Sequence, residues 1–187
     1  MSRHPLPILT LLIACAALGI HVIPGAAAAL QLDRAAVGDG EFWRILTCHL
    51  THVDVSHLVW NVVVFVALGW RLERRDPGRF RFVLGVAILA IPPAIILLLP
   101  DLDLYRGLSG LDSALFAMLA VDLIRSGLKR RRPGAVVLPA LLVLAFIAKI
   151  AWEAHAGTTV FVDSGAAALI PVPLAHLVGA AAGMAGA

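Results

Sequence analysis

The chain has 187 residues, 60% hydrophobic and 14% charged, with a formal net charge of +3 and a mean hydropathy of +0.92. Soluble domains are roughly 45–50% apolar and about 25% charged, so these few polar residues cannot cover a water-facing surface of this size. A soluble globular domain, a disordered chain and a disulfide scaffold are thereby excluded, which leaves a small polytopic membrane protein.

A spanning helix needs about 20 mostly apolar residues. Six stretches qualify, at 6–23 (with apolar residues continuing to Leu30), 57–70, 82–99, 109–124, 136–152 and 166–187. The expectation is an all-α polytopic membrane protein, a single domain over 1–187. The first stretch also fits a secretory signal, with Arg3, an apolar run and small residues at Ala26–Ala29. Five further stretches follow it, which favours a retained helix. The second and fourth are short and begin at polar residues, predicting helices with one end below the membrane surface. Cys15 and Cys48 form no disulfide framework.

Basic residues gather on alternate connections: Arg3, then Arg71, Arg74, Arg75, Arg79 and Arg81, then Arg125 and the run Lys129 to Arg132. The other connections hold Asp33, Asp39, Glu41, Asp54, Asp101, Asp103, Glu153 and Asp163, opposed only by Arg34, Arg44 and Arg106. The positive-inside rule then places both termini in the cytoplasm. The Lys-Arg-Arg-Arg run reads as a topology anchor in preference to a nucleic-acid patch, so the expected surroundings are lipid, with no nucleic acid. Arg44 is expected to anchor the first loop at the interface, beside Trp43.

Polar residues inside spans are costly and tend to mark function. His57 and Asn61 lie four apart, on one helix face; the alternative is interhelical hydrogen-bond glue. Gly107-Leu108-Ser109-Gly110 opens the fourth stretch, where free amides and the helix dipole favour negative charge, useful beside a nucleophile and an oxyanion. A small-residue packing motif or a helix cap explains it as well. His176, Gly179 and Gly183 share a stripe in the sixth stretch. A neutral imidazole there can take a serine proton, or simply bond a backbone carbonyl. Asp112 suits the first turn of a helix, with holding a histidine as its other role. His49, His52 and His57 offer no clean metal-ligand spacing beside Cys48, so no metal and no cofactor is expected.

Together these residues resemble the rhomboid intramembrane serine proteases. The likeness runs from Glu41 to the end of the chain. It rests on Glu41-Phe-Trp-Arg44-Ile-Leu-Thr47, His52 and His57-x-x-x-Asn61, then Gly107-x-Ser109-Gly110, then Ala175-His176-x-x-Gly179-x-x-x-Gly183. The resemblance implies a six-helix bundle and a Ser–His dyad in which Ser109 attacks and His176 is the general base. It implies an oxyanion site from His57, Asn61 and the Ser109 N–H, with Gly107, Gly110, Gly179 and Gly183 in support. It further implies membrane-anchored protein substrates, a bacterial inner-membrane location and an active site open to the periplasm. Tyr105-Arg106 before the GLSG motif, with six spans and short loops, is similar to the rhombosortase branch, whose substrates carry a C-terminal Gly-Gly signal, a transmembrane segment and a basic tail. Two positions depart from the family pattern: Ser113 stands where an aromatic residue commonly stacks on the histidine, and Asp112 where an apolar one is usual. A non-catalytic relative that binds membrane segments, and a small transporter lined by His, Asn and Asp, are the competing classes.

Overall fold

In the computed structural model, residues 6–160 and 171–187 are described. Helix α1 covers Ile8–Val22, and Pro24 and Gly25 (φ +79°) break it from the short α2, Ala26–Leu30. The chain then forms β1 (Leu32–Asp33), α3 (Arg34–Gly38), α4 (Arg44–Thr47) and a 3-10 turn at Cys48–Leu50. Long helices follow: α5 (Val55–Arg75), α6 (Pro77–Leu98), α7 (Ser109–Lys129) and α8 (Gly134–Ala156). Strand β2 (Leu104–Tyr105) precedes α7, and α9 spans Pro173–Ala185. Of the sixth apolar stretch, 166–170 lies outside the described residues.

Among the described residues, three helices are long and apolar enough to cross a membrane: α5, α6 and α8. Helices α1 and α9 are apolar but shorter. Helix α7 has 21 residues, about 31 Å at the helical rise, and carries Asp112, Asp122, Arg125 and Lys129. The second and fourth helices are therefore not short. Each continues past its apolar stretch into Arg and Lys, good helix formers whose positive charge suits a C-terminus.

Helix α7 occupies the centre and packs against α5, α6, α8 and α9. Leu111, Ala114, Leu115 and Met118 are buried on it. Helix α8 lies at the edge: Leu138, Leu141, Leu144, Ile147 and Trp152 are all exposed, as befits side chains turned to lipid.

Three acidic or basic side chains close helix ends that would otherwise leave orphan groups. Pro7 gives α1 no side-chain cap, and Glu73 of α5 replaces it, accepting the Leu9 and Thr10 N–H groups at 2.9 and 2.8 Å and the Thr10 hydroxyl at 2.7 Å. Arg34 donates to the carbonyls of Ile96 and Leu99 at 2.8 and 2.7 Å, finishing α6. Arg79 bonds Asp122 of α7 (3.0 Å) and the Gly186 carbonyl beyond α9 (2.9 Å).

The first loop is tied down from within. Strand β1 pairs antiparallel with β2, Leu32 opposite Tyr105. Arg44 is buried, which corrects the expectation of an interfacial anchor: it donates to the Ala28 and Gln31 carbonyls at 2.8 and 3.0 Å and pairs with Glu41 at 2.6 Å. Its Nη1 serves both loop carbonyls while Nε donates to the Glu41 carboxylate. Trp43 beside it is half exposed. Both cysteines are free.

Candidate active site

The approach to α7 is fixed by the loop after α4. The Cys48 carbonyl accepts the Gly107 N–H at 3.0 Å, and His52 Nε2 takes the Leu108 N–H at 3.5 Å. Burial pushes the His52 imidazole down to about 3, with neighbouring His57 adding to it, so it remains a neutral acceptor. The Cys48 thiol is pushed up to about 12 by burial and is inert. Gly107 sits at φ +122°, and a Cβ there would lie 3.0 Å from His57 Cε1 and 3.1 Å from its Nε2. Glycine is thus required both by conformation and by the imidazole against it.

On α5, Asp54 caps the helix by accepting the His57 N–H at 2.9 Å. His57 and Asn61 then share the inward face, both buried. His57 stacks edge-on against His52, ring centres 5.1 Å apart. Neither His57 Nδ1 nor Asn61 Nδ2 has a hydrogen-bond partner among the described residues. Buried donors left unpaired are uncommon and call for an explanation.

Ser109 is the first residue of α7 and is only partly buried. Helix α9 reaches α7 through its glycines: a Cβ on Gly179 would fall on the Gly110 carbonyl oxygen, and one on Gly183 on that of Ala114. A Cβ on Gly110 would meet Ile91 Cδ1 at 2.7 Å and the Ala175 carbonyl at 3.2 Å. This backbone-to-backbone approach brings His176 over the first turn of α7.

His176 is held on both sides. Nδ1 lies 3.0 Å from Ser113 Oγ, and that hydroxyl donates to the Ser109 carbonyl at 2.8 Å. Nε2 faces α8, 3.5 Å from Lys149 Nζ and 3.6 Å from Glu153 Oε2, while Lys149 and Glu153 pair at 2.7 Å. The Ser109 hydroxyl itself makes no hydrogen bond to His176 among the described residues. One cavity of about 390 Å³ joins these groups, its lining including His57, Asn61, Ser109, Asp112, Ser113 and His176. Asp112 Oδ1 is buried there without a partner among the described residues.

Sequence reasoning missed Lys149 and Glu153. Two ionisable residues four apart at the end of an apolar stretch were the available signal. Tyr105, named in the sequence only for its place before the GLSG motif, also lines the cavity, its buried hydroxyl 3.5 Å from the Gly107 carbonyl. His49, by contrast, turns away: its Nε2 meets the Ile88 carbonyl at 3.3 Å.

A rhomboid-domain family model matches residues 39–187. The chain belongs to the rhomboid family. The match takes in α5 to α9 and every residue of the cavity described above. A curated relative, RHOMBOID-like protein 5 of Arabidopsis thaliana, is 30% identical over 92 residues. That alignment covers 49% of this chain and 29% of the relative, so the rhomboid chain here spans well under half of that protein. Apolar helices and the rhomboid domain together make this a membrane protein.

Proposed function

We propose that this rhomboid chain is an intramembrane serine endopeptidase working through Ser109 and His176. The observation that carries the reading is the single cavity onto which Ser109, His176, His57 and Asn61 all open. Ser109 Oγ attacks the scissile carbonyl carbon while His176 takes its proton. The negative oxygen that forms is held by the Ser109 N–H, His57 and the Asn61 amide, and the unpaired Asn61 Nδ2 supports that role. Being already in place, such donors need little reorganisation as charge develops. His176 then passes its proton to the leaving amine, and water, activated in turn by His176, releases the acyl group from Ser109.

In the same reading six helices span the bilayer with both termini in the cytoplasm of a bacterial cell, and the cavity opens to the periplasmic side. The substrates are membrane-anchored proteins, in the rhombosortase form those with C-terminal Gly-Gly anchors. The clustering of Arg71 to Arg81 and Arg125 to Arg132 supports the orientation.

A fluorophosphonate probe tests the chemistry without a substrate. Labelling of the detergent-solubilised protein should vanish in Ser109→Ala and His176→Ala, and fall about 10²–10³-fold in Asn61→Ala or His57→Ala. A second reading, a non-catalytic binder of membrane segments, is favoured by the missing Ser109–His176 hydrogen bond. A folded wild-type protein that takes no label would shift the weight to it.

A further inference from the structure

The imidazole of His176 has two nitrogens and one proton when neutral, and a base needs that proton on the nitrogen away from the serine it serves. Every hydrogen-bonding group around the ring bears on which nitrogen carries it. Ser113 Oγ has a single proton, and the Ser109 carbonyl 2.8 Å away can only accept. With that proton committed, Ser113 Oγ is an acceptor toward Nδ1 at 3.0 Å. On the other side stand the Lys149 ammonium, which can only donate, to Glu153 Oε2 at 2.7 Å and toward Nε2 at 3.5 Å, and Glu153 Oε2 itself, an acceptor whose 3.6 Å from Nε2 is beyond hydrogen-bond reach. All the protons are accounted for in one arrangement: Nδ1–H to Ser113, Ser113 O–H to the Ser109 carbonyl, Lys149 N–H toward Nε2.

We propose that Ser113 is a positioning residue that sets the His176 tautomer, relaying Nδ1–H to the Ser109 backbone carbonyl and leaving Nε2 as the proton-accepting nitrogen. The relay ties the ring to the nucleophile's own residue, so whatever moves Ser109 moves the base with it. It takes the place of ring stacking, for which a hydroxymethyl group is too small. The Lys149 contact at Nε2 is the longer of the two and gives way when Ser109 engages, the ring pivoting about its Ser113 bond. Ser113 is buried, 4% exposed, in the wall of the cavity. The assignment of Nε2 as the catalytic base rests on the reading above; the tautomer itself does not.

The test combines a spectrum with a rate. Protein labelled with ¹⁵N in its histidine rings, with His176→Ala to assign the signals, should show His176 at neutral pH as the Nδ1–H tautomer. Ser113→Ala should convert it to a mixture or to Nε2–H, and Ser113→Thr, which keeps the hydroxyl, should restore it. Fluorophosphonate labelling, mapped by peptide mass spectrometry, should fall on Ser109 and slow about tenfold in Ser113→Ala, the scale of one lost hydrogen bond. An unchanged tautomer in a folded Ser113→Ala would overturn the proposal, as would a label that maps to Ser113 itself. Absence of any label on wild type would remove the protease reading, and the ring spectrum would still decide the role of Ser113.

Discussion

Helices α7 and α8 both reach His176, and they do so by opposite means. Helix α7 is buried on nearly every side and meets α9 backbone to backbone, with glycine at each crossing. Helix α8 buries only Pro139, Ile150 and Glu153; it lines the cavity with Leu142, Ala145 and Phe146 but meets His176 through two long charged side chains. Close-packed helices have few alternative arrangements, whereas a lysine on four methylenes can be displaced at small cost. The candidate nucleophile, its backbone N–H and the Ser113 relay belong to α7 on the rigid side; the groups that must yield for catalysis are on the loose side.

The largest break in this contrast comes from the glycines. Gly179→Val or Gly183→Val would drive a side chain into the Gly110 or Ala114 carbonyl, with helix backbone on both sides and nowhere to relax. Overpacking commonly costs about 1–3 kcal/mol and more where backbone must move. Either variant is expected to lose the cooperative thermal transition in detergent altogether.

Acid attacks the same side at its loop anchor. Burial pushes His49 down to about 4 and His52 to about 3, from an ordinary value of 6.5. The unfolded chain therefore takes up protons below 6.5 that the folded chain refuses, so this stability is complete above pH 6.5 and is lost as pH falls from there toward 3. Each site contributes a slope of up to about 1.4 kcal/mol per pH unit, or about 4 kcal/mol for the pair between pH 6.5 and 4.5. Protonated His52 also cannot accept the Leu108 N–H that steadies the start of α7. Unfolding temperatures across that range should fall steeply, and His52→Gln should halve the slope.

How much of this was legible in the sequence follows the same divide. His57, Asn61, Ser109, His176 and the glycines are set by local rules of helix face, helix start and small-residue spacing, and the fold brings the four polar residues to one cavity. Lys149 and Glu153 were passed over because an apolar count sees 136–152 as a lipid-facing span and Glu153 as a flanking charge. Only the placement of α8 beside α9 turns them to the histidine. Arg34 was read as a charge on a connection and Arg44 as an interfacial anchor, and Glu73 was passed over. Their partners are carbonyls and amides 13 to 68 positions away, which no local pattern encodes. Ser113 was visible as a departure from the family pattern, but its hydrogen bonds depend on the exact height of α9 against α7.

On the loose side the effects should be smaller. Lys149→Met leaves the Glu153 carboxylate, 2% exposed, without its cation and is expected to cost about 3 kcal/mol. Glu153→Gln leaves an ammonium with more access to water and should cost about 2 kcal/mol. The double variant removes both charges and should be less destabilised than Lys149→Met alone. Thermal unfolding of the three proteins gives the coupling directly, and additive costs would show that the pair does not act as a unit.

The smallest effect belongs to the outer face of α8. Leu141 and Leu144 are 56% and 60% exposed. In a bilayer they touch acyl chains that are as apolar as leucine, so truncation exchanges one hydrocarbon contact for another. Leu141→Ala and Leu144→Ala should each change stability by less than about 0.5 kcal/mol. The same truncation at Leu111 or Leu115 of α7, where exposure is 1% and 0%, opens a cavity that no lipid can fill and should cost about 2–5 kcal/mol. A cost at Leu141 or Leu144 as large as at Leu115 would mean that another protein surface, not lipid, covers α8, and the loose side of the site would then be loose only in the isolated chain.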